Sequence, residues 1–218
     1  MKPLMGLVMS FAMMGAAGAQ HLAGAARAAA VPEAPAKVAF YGIPRGLGPQ
    51  VERIQLGPPA LPPVAHSIFC TQFPGECVVK RIAFRPGRVA LTPERWQDLV
   101  RINVEVNRAI RFERNTQGVA AERWLIAPRA GECHDYAVTK RHRLLARNWP
   151  SRALLLAEVV TSLGEHHLVL VLRTAAGDVV IDNLTNQIRP WSQTNYRWMR
   201  IQSPMNPRYW ATLANPSA

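Results

Sequence analysis

Three residues in order along this 218-residue chain, Cys133, His167 and Asp182, have the types and spacing for acyl-transfer chemistry. Cys133 opens the amphipathic stretch CHDYAVTKRHRLLARNW, which predicts a helix beginning at the cysteine. At a helix start, unpaired backbone N–H groups and the positive end of the dipole favour a thiolate. His167 comes 34 residues later in GEHHLVLVLRT and Asp182 a further 15 in GDVVIDNL, both in segments patterned as strands. A thiolate attacks a carbonyl, an imidazole within reach stabilises it and later protonates the leaving amine, and a carboxylate orients that imidazole. The backbone N–H of Cys133 is the natural oxyanion donor. Each residue alone has a plainer reading: a small buried apolar cysteine, a core histidine, a turn-forming aspartate. The ordered combination points to a Cys-His-Asp hydrolase.

Cysteine arithmetic agrees. Cys70 and Cys77 flank a Phe-Pro-Gly turn signal in IFCTQFPGEC, and in an exported chain such a pair predicts a disulfide, leaving Cys133 as the odd thiol. Export is expected from residues 1–30: Lys2 supplies a positive start, Leu4 to Ala17 an apolar run too short and alanine-rich for a membrane span, and A-x-A sites end at Ala19, Ala25 and Ala30. Cleavage there removes Lys2 and Arg27 and no acid, taking the formal charge from +12 to +10.

The elements that must position these groups follow in order. Val31 to Pro74 carries nine prolines, which exclude a long helix and predict an extended arm lying against the core. A short strand around Arg88 to Leu91 precedes a long helix, with Thr92 as N-cap, Pro93 at its first position, and Trp96, Leu99, Val100, Asn103, Val106 and Ile110 as one buried stripe. Asn103 and Asn107, one turn apart, are read as packing or a polar face. Asn115 to Arg129 is loop, where Trp124 either walls a cleft or covers the core. Ala153 to Thr161, His166 to Thr174 and Asp178 to Ile181 read as strands, the last two joined by Ala175-Ala176-Gly177. The tail, with prolines at 190, 204, 207 and 216, is expected to wrap the sheet as irregular chain.

Composition, 49% hydrophobic and 18% charged, describes a globular protein large enough to bury a core. The arginines are scattered, with no basic block and no nucleic-acid motif beside them, so nucleic acid is not an expected partner.

The chain also resembles the bacterial transglutaminase-like cysteine peptidases over roughly Leu91 to Trp198. Gly131-Glu132-Cys133-His134-Asp135-Tyr136-Ala137 is similar to the nucleophile motif, Gly164-Glu165-His166-His167 to the histidine motif, and Gly177-Asp178 with Asp182-Asn183 to the aspartate motif. The resemblance implies a papain-like α+β core, a nucleophile helix packed on an antiparallel sheet, with catalytic Cys133, His167 and Asp182 and with His166 as a bystander. The organisation is then a signal over 1–30, a proline-rich arm over 31–90 and a peptidase domain over 91–218. The best-known members are periplasmic proteases that clip large surface adhesins and hold calcium with acids flanking the cysteine. By that likeness the substrate is a protein, an adhesin among the candidates, an inner-membrane regulator is a conceivable partner, and Glu132 and Asp135 are the candidate calcium ligands. His134 stands where those members carry an acid, and imidazole suits calcium poorly. A zinc cluster of Cys133, His134, Asp135 and His166-His167 lacks a ligand spacing to support it. A transglutaminase would use the same triad, and a non-catalytic binding module of the same fold is the alternative from another class.

Overall fold

The computed structural model describes residues 52–78 and 87–214. Residues 1–30, where the signal is expected, lie outside them. Twelve elements are named here: β1 (Leu56–Ala60), α1 (Val64–Gln72), α2 (Pro93–Ala109), β2 (Arg111–Phe112), β3 (Ala130–Gly131), α3 (Cys133–Ala146), β4 (Leu154–Val160), β5 (His166–Thr174), β6 (Gly177–Ile181), β7 (Arg189–Pro190), β8 (Arg197–Gln202) and β9 (Trp210–Leu213). Seven strands form one sheet in the order β1-β9-β8-β4-β5-β6-β7. Its pairings are antiparallel. The fold is mixed helix and antiparallel sheet, as expected.

The uninterrupted apolar runs of β4 and β5 are explained by cores on both faces. Leu168, Leu170 and Leu172 pack into one core with Leu99, Ile102 and Val106 of α2 and Ala137 and Leu144 of α3. The intervening Val169 and Val171 join Val159, Val180, Trp191, Trp198 and Ile201 in a second. Strand alternation assigns the two sets to opposite faces.

The start of α2 follows its sequence signals: Thr92 Oγ1 accepts from Arg95 N at 3.3 Å, and Pro93 takes the first turn. The hairpin β5–β6 pairs Thr174 with Gly177 across Ala175-Ala176, and Gly177 has φ 137°, which glycine tolerates.

Three segments differ from the sequence reading. The proline-rich arm contains a helix, α1, because Val64–Gln72 is proline-free between Pro63 and Pro74. Its Phe69 and Cys70 share a core with Leu99 and Leu144. Just before it, β1 tolerates Pro58 and Pro59 because it is an edge strand. The strand expected at Arg88 to Leu91 reduces to one bridge, Val89 to Thr174. The C-terminal tail is sheet: β8 pairs β4 and β9 pairs β8, with Pro204 and Pro207 confined to the connection between them. Short strands separated by prolines leave too few residues for a period to show.

Cys70 and Cys77 form the predicted disulfide. It fastens α1 to the turn Pro74–Cys77, whose Glu76 holds α3. Arg141 Nη1 donates to Glu76 O at 2.8 Å and Oε2 at 2.9 Å, and Arg141 Nε to Leu154 O at 3.1 Å. Replacing Cys70 and Cys77 together by alanine should cost about 2–3 kcal/mol of unfolding free energy in urea titrations, from the loop-closure entropy of a short ring.

Candidate active site

Helix α3, which opens with Cys133, starts immediately after β3, and Asp135 fixes how. Its Oδ2 accepts from Glu132 N at 2.9 Å and its Oδ1 from Leu125 N at 2.7 Å. One turn on, Thr139 Oγ1 accepts from Ala127 N at 2.8 Å. Two side chains of α3 therefore stitch the preceding loop onto the helix. A Cβ on Gly131 would lie 2.1 Å from Asp135 Oδ2, so this close approach requires glycine. Asp135 is buried; burial raises its pKa, while His134 and the two N–H donors oppose that.

Cys133 is half-buried and is the free cysteine. His167 lies on β5 opposite Val159, and the register Leu170 to Ile181 brings the residue after β6, Asp182, back toward it. His167 Nε2 is 2.8 Å from Asp182 Oδ1. That contact leaves Nδ1 for the thiol. Asp182 also accepts from Leu184 N at 3.1 Å and from the Tyr196 hydroxyl. The Tyr196 ring meets the His167 ring edge-on, centroids 5.8 Å apart.

Asn107 Nδ2 donates to Asp182 O at 3.0 Å and to Asn186 Oδ1 at 2.9 Å, and Asn103 Nδ2 donates to Asn186 O at 3.1 Å. The two asparagines, read from sequence as packing or a polar face, brace the segment that carries Asp182. Their spacing on one helix face was the available signal. Tyr196 had none, because it is brought in by the strand β8 that the prolines concealed.

Burial pushes the Cys133 thiol up, but hydrogen bonds to His134 and His167 and the charge on both rings outweigh it, bringing the pKa down to about 7. Burial pulls His167 down, but its bonds to Asp182 and Cys133 outweigh that and raise it to about 9. Burial raises Asp182, yet His167, Tyr196 and Leu184 N together hold it below the usual carboxylate range. Between about 7 and 9 the favoured state is thiolate beside imidazolium.

His134, which the sequence reading placed in the nucleophile motif and weighed only as a metal ligand, is a second imidazole acting on the thiol. It is buried, its Nε2 3.4 Å from Asp135 Oδ2 and its Nδ1 3.7 Å from Glu122 Oε1. Its ring stacks on Trp124 at 5.9 Å, and Trp124 Nε1 donates to Glu122 Oε1 at 2.7 Å. Trp124 is thus a core residue, and its part in the site is to shelve His134. Burial lowers the His134 pKa, but Cys133, Asp135 and Glu122 leave it raised.

His166 points outward, 3.3 Å from Glu158, so the zinc cluster does not assemble. Among the described residues, the group of three or more His, Cys, Asp or Glu ligand atoms is His66, Cys70 and Cys77, whose sulfurs are joined to each other. Glu132 and Asp135 belong to no such group. Calcium seeks six to eight oxygens. Asp135 accepts a backbone N–H on each oxygen and lies 3.4 Å from His134, and two acids with an imidazole between them in sequence are a poor donor set for calcium.

Residues 56–218 match the sequence model of a family described as bacterial transglutaminase-like cysteine proteinase BTLCP. Solved structures of Legionella pneumophila LapG are similar. The calcium-bound form is 21% identical, covers 59% of this chain and 74% of that one, and gives a TM-score of 0.48. A second structure of LapG is 22% identical over 51% and 65%, TM-score 0.43, and the EGTA-treated form 19% identical over 58% and 71%, TM-score 0.46. No curated protein matches.

Two outcomes are expected. Alkylation of Cys133 by iodoacetamide should rise through a midpoint near pH 7 as the thiol ionises, and the midpoint should move up in His167→Ala; rates measured from pH 5 to 10 check this. Gly131→Ala must displace Asp135 from the helix start and should cost about 1–3 kcal/mol in urea titrations, from a steric insertion and orphaned N–H groups.

Proposed function

We propose, for a chain that belongs to the bacterial transglutaminase-like cysteine proteinases and so is a cysteine peptidase, that Cys133, His167 and Asp182 are its catalytic triad and an exported protein its substrate. The observation that carries the reading is the 2.8 Å contact of His167 Nε2 with Asp182 Oδ1, with the free Cys133 at the start of α3 and its pKa lowered by His134 and His167. The Cys133 thiolate attacks the scissile carbonyl carbon, forming the C–S bond, and the developing oxyanion turns to the N–H groups at the helix start. His167, protonated on Nδ1, gives that proton to the amine as the C–N bond breaks. A water then attacks the acyl-enzyme, His167 takes its proton, and the C–S bond breaks to release the acid and restore the thiolate. Asp182 holds the ring in place through Nε2 and stabilises its charged form.

The amino-terminal pattern of residues 1–30 supports export to the periplasm or beyond, and no described helix is long and apolar enough to cross a membrane. The family resemblance supports a surface adhesin as substrate and an inner-membrane regulator as partner. The LapG structures are a calcium-bound and an EGTA-treated form among others, but the mechanism here uses no calcium step, because Asp135 caps the helix start and the imidazole of His134 stands between it and Glu132 in the sequence.

The test is cleavage of a proteome-derived peptide library, read by mass spectrometry. Cys133→Ala should abolish cleavage and His167→Ala reduce it by about a thousandfold or more. Undiminished partner capture and phenotype in Cys133→Ala would instead favour a binding module, and transfer to an added primary amine in preference to water would favour a transglutaminase. EGTA is expected to change neither cleavage nor melting temperature; a loss of either on chelation, restored by calcium, would overturn the reading of Asp135 as a helix cap alone.

A further inference from the structure

The connection from β7 to β8 must cross the sheet, because β7 lies beside β6 at one edge whereas β8 lies beyond β5 and β4. It begins at Trp191 and ends just before Trp198, and both tryptophans share a core with Val169, Val171 and Val180. The crossing is held in place. Trp191 is fully buried with its Nε1 donating to Glu52 O at 2.8 Å, and Thr194 Oγ1 donates to Trp191 O at 2.7 Å. Its last residue is Tyr196, half-buried against the same core.

His167 belongs to that face of the sheet. It pairs with Val159, which pairs in turn with Trp198, and both of these lie in the core that the crossing covers. Cys133 packs against the other core. The thiol therefore comes to the histidine from α3, and Tyr196 comes to it from the crossing.

The tyrosine makes two contacts there. Asp182 Oδ1 is taken by His167 Nε2 at 2.8 Å and Leu184 N at 3.1 Å, while among the described residues Oδ2 accepts a hydrogen bond from the Tyr196 hydroxyl alone. Asp182 is buried, so loss of that donor would leave a carboxylate oxygen unsatisfied and the group free to turn about its one remaining bonded oxygen. The edge of the Tyr196 ring meets the His167 ring, centroids 5.8 Å apart and planes at 66°. Burial and the Asp182 carboxylate both push the Tyr196 hydroxyl up, so it remains a protonated donor.

We propose that Tyr196 is a positioning residue for the triad, its hydroxyl fixing the second oxygen of Asp182 and its ring edge fixing the tilt of His167. The proposal rests on the triad reading. Tyr196 acts on Cys133 through the Asp182–His167 pair, so loss of its hydroxyl should be felt at the thiol only while residue 182 is an aspartate. A tyrosine kept for packing alone would behave otherwise, since phenylalanine keeps the ring and its place in the core.

The experiment combines iodoacetamide alkylation of Cys133 at pH 7.0 with NMR of the His167 imidazole N–H in isotope-labelled protein. The variants are Tyr196→Phe, Tyr196→Leu, Asp182→Asn and Tyr196→Phe with Asp182→Asn, with melting temperatures used to keep every assay below the onset of unfolding. Tyr196→Phe is expected to slow labelling by about threefold and to move or broaden the low-field N–H signal of His167, and Tyr196→Leu to slow labelling by about tenfold. In the Asp182→Asn background, Tyr196→Phe should change the rate by less than about 1.5-fold, the signature of action through one residue. Wild-type labelling and an unmoved His167 signal in Tyr196→Phe would overturn the proposal, as would a loss that persists undiminished beside Asp182→Asn. Equal rates in Tyr196→Phe and Tyr196→Leu would overturn the part given to the ring. Should Asp182→Asn itself label as wild type, the triad reading fails and this proposal with it; failure at Tyr196 alone leaves the triad standing.

Discussion

The 2.8 Å contact between His167 Nε2 and Asp182 Oδ1 lies where an isolated carboxylate could not stay ionised. Asp182 is buried, so its charge survives only by what surrounds it: the imidazole, the Tyr196 hydroxyl and the Leu184 N–H. Those contacts set the direction in which His167 and, through it, Cys133 titrate. With Asp182 ionised, His167 holds its proton; with His167 charged, Cys133 gives its own up. The electrostatics run in one direction along three residues from three elements.

That chain can form only if those elements are held against each other. The sheet register carries His167 and Asp182, through the pairing of Leu170 with Ile181. Cys133 depends on α3, which is anchored at both ends of its length: Asp135 and Thr139 hold the loop before it, and Arg141 reaches Leu154 O and Glu76 further down. The disulfide stands behind Glu76. A covalent bond in the proline-rich segment thereby contributes to the position of a helix whose other end carries the thiol. Buried arginine beside a carboxylate is an expensive way to do this, and it is tolerable because three acceptors share the guanidinium.

His134 changes how the helix start is understood. Seen as a sequence, it stands where the family it resembles carries an acid; in the structure it is shelved on Trp124 between Glu122 and Asp135 and, with His167, lowers the pKa of Cys133. Asp135 in turn is spent on the helix cap that Gly131 makes room for. The charge beside Cys133 is thus supplied by two imidazoles, each set beside a carboxylate.

Sequence alone determined the parts whose cause is local. The Thr92-Pro93 cap, the apolar run of β5, the turn at Gly177 and the cysteine at a helix start are each dictated by residues a few positions apart, and they fell where periodicity and capping placed them. The order of Cys133, His167 and Asp182 followed, as did the pairing of Cys70 with Cys77. Tertiary structure decided whatever depends on partners distant in the chain. Asp182 and Tyr196 meet because β8 joins the sheet beside β4, a pairing that short proline-bounded segments do not advertise. Asn107 reaches the backbone of Asp182 across 75 residues, and Lys140 is buried because α3 packs against β5 and α2, which no property of a lysine in an amphipathic stretch announces. Side-chain direction and burial belong to the packed molecule, and the chemistry of this site is set by both.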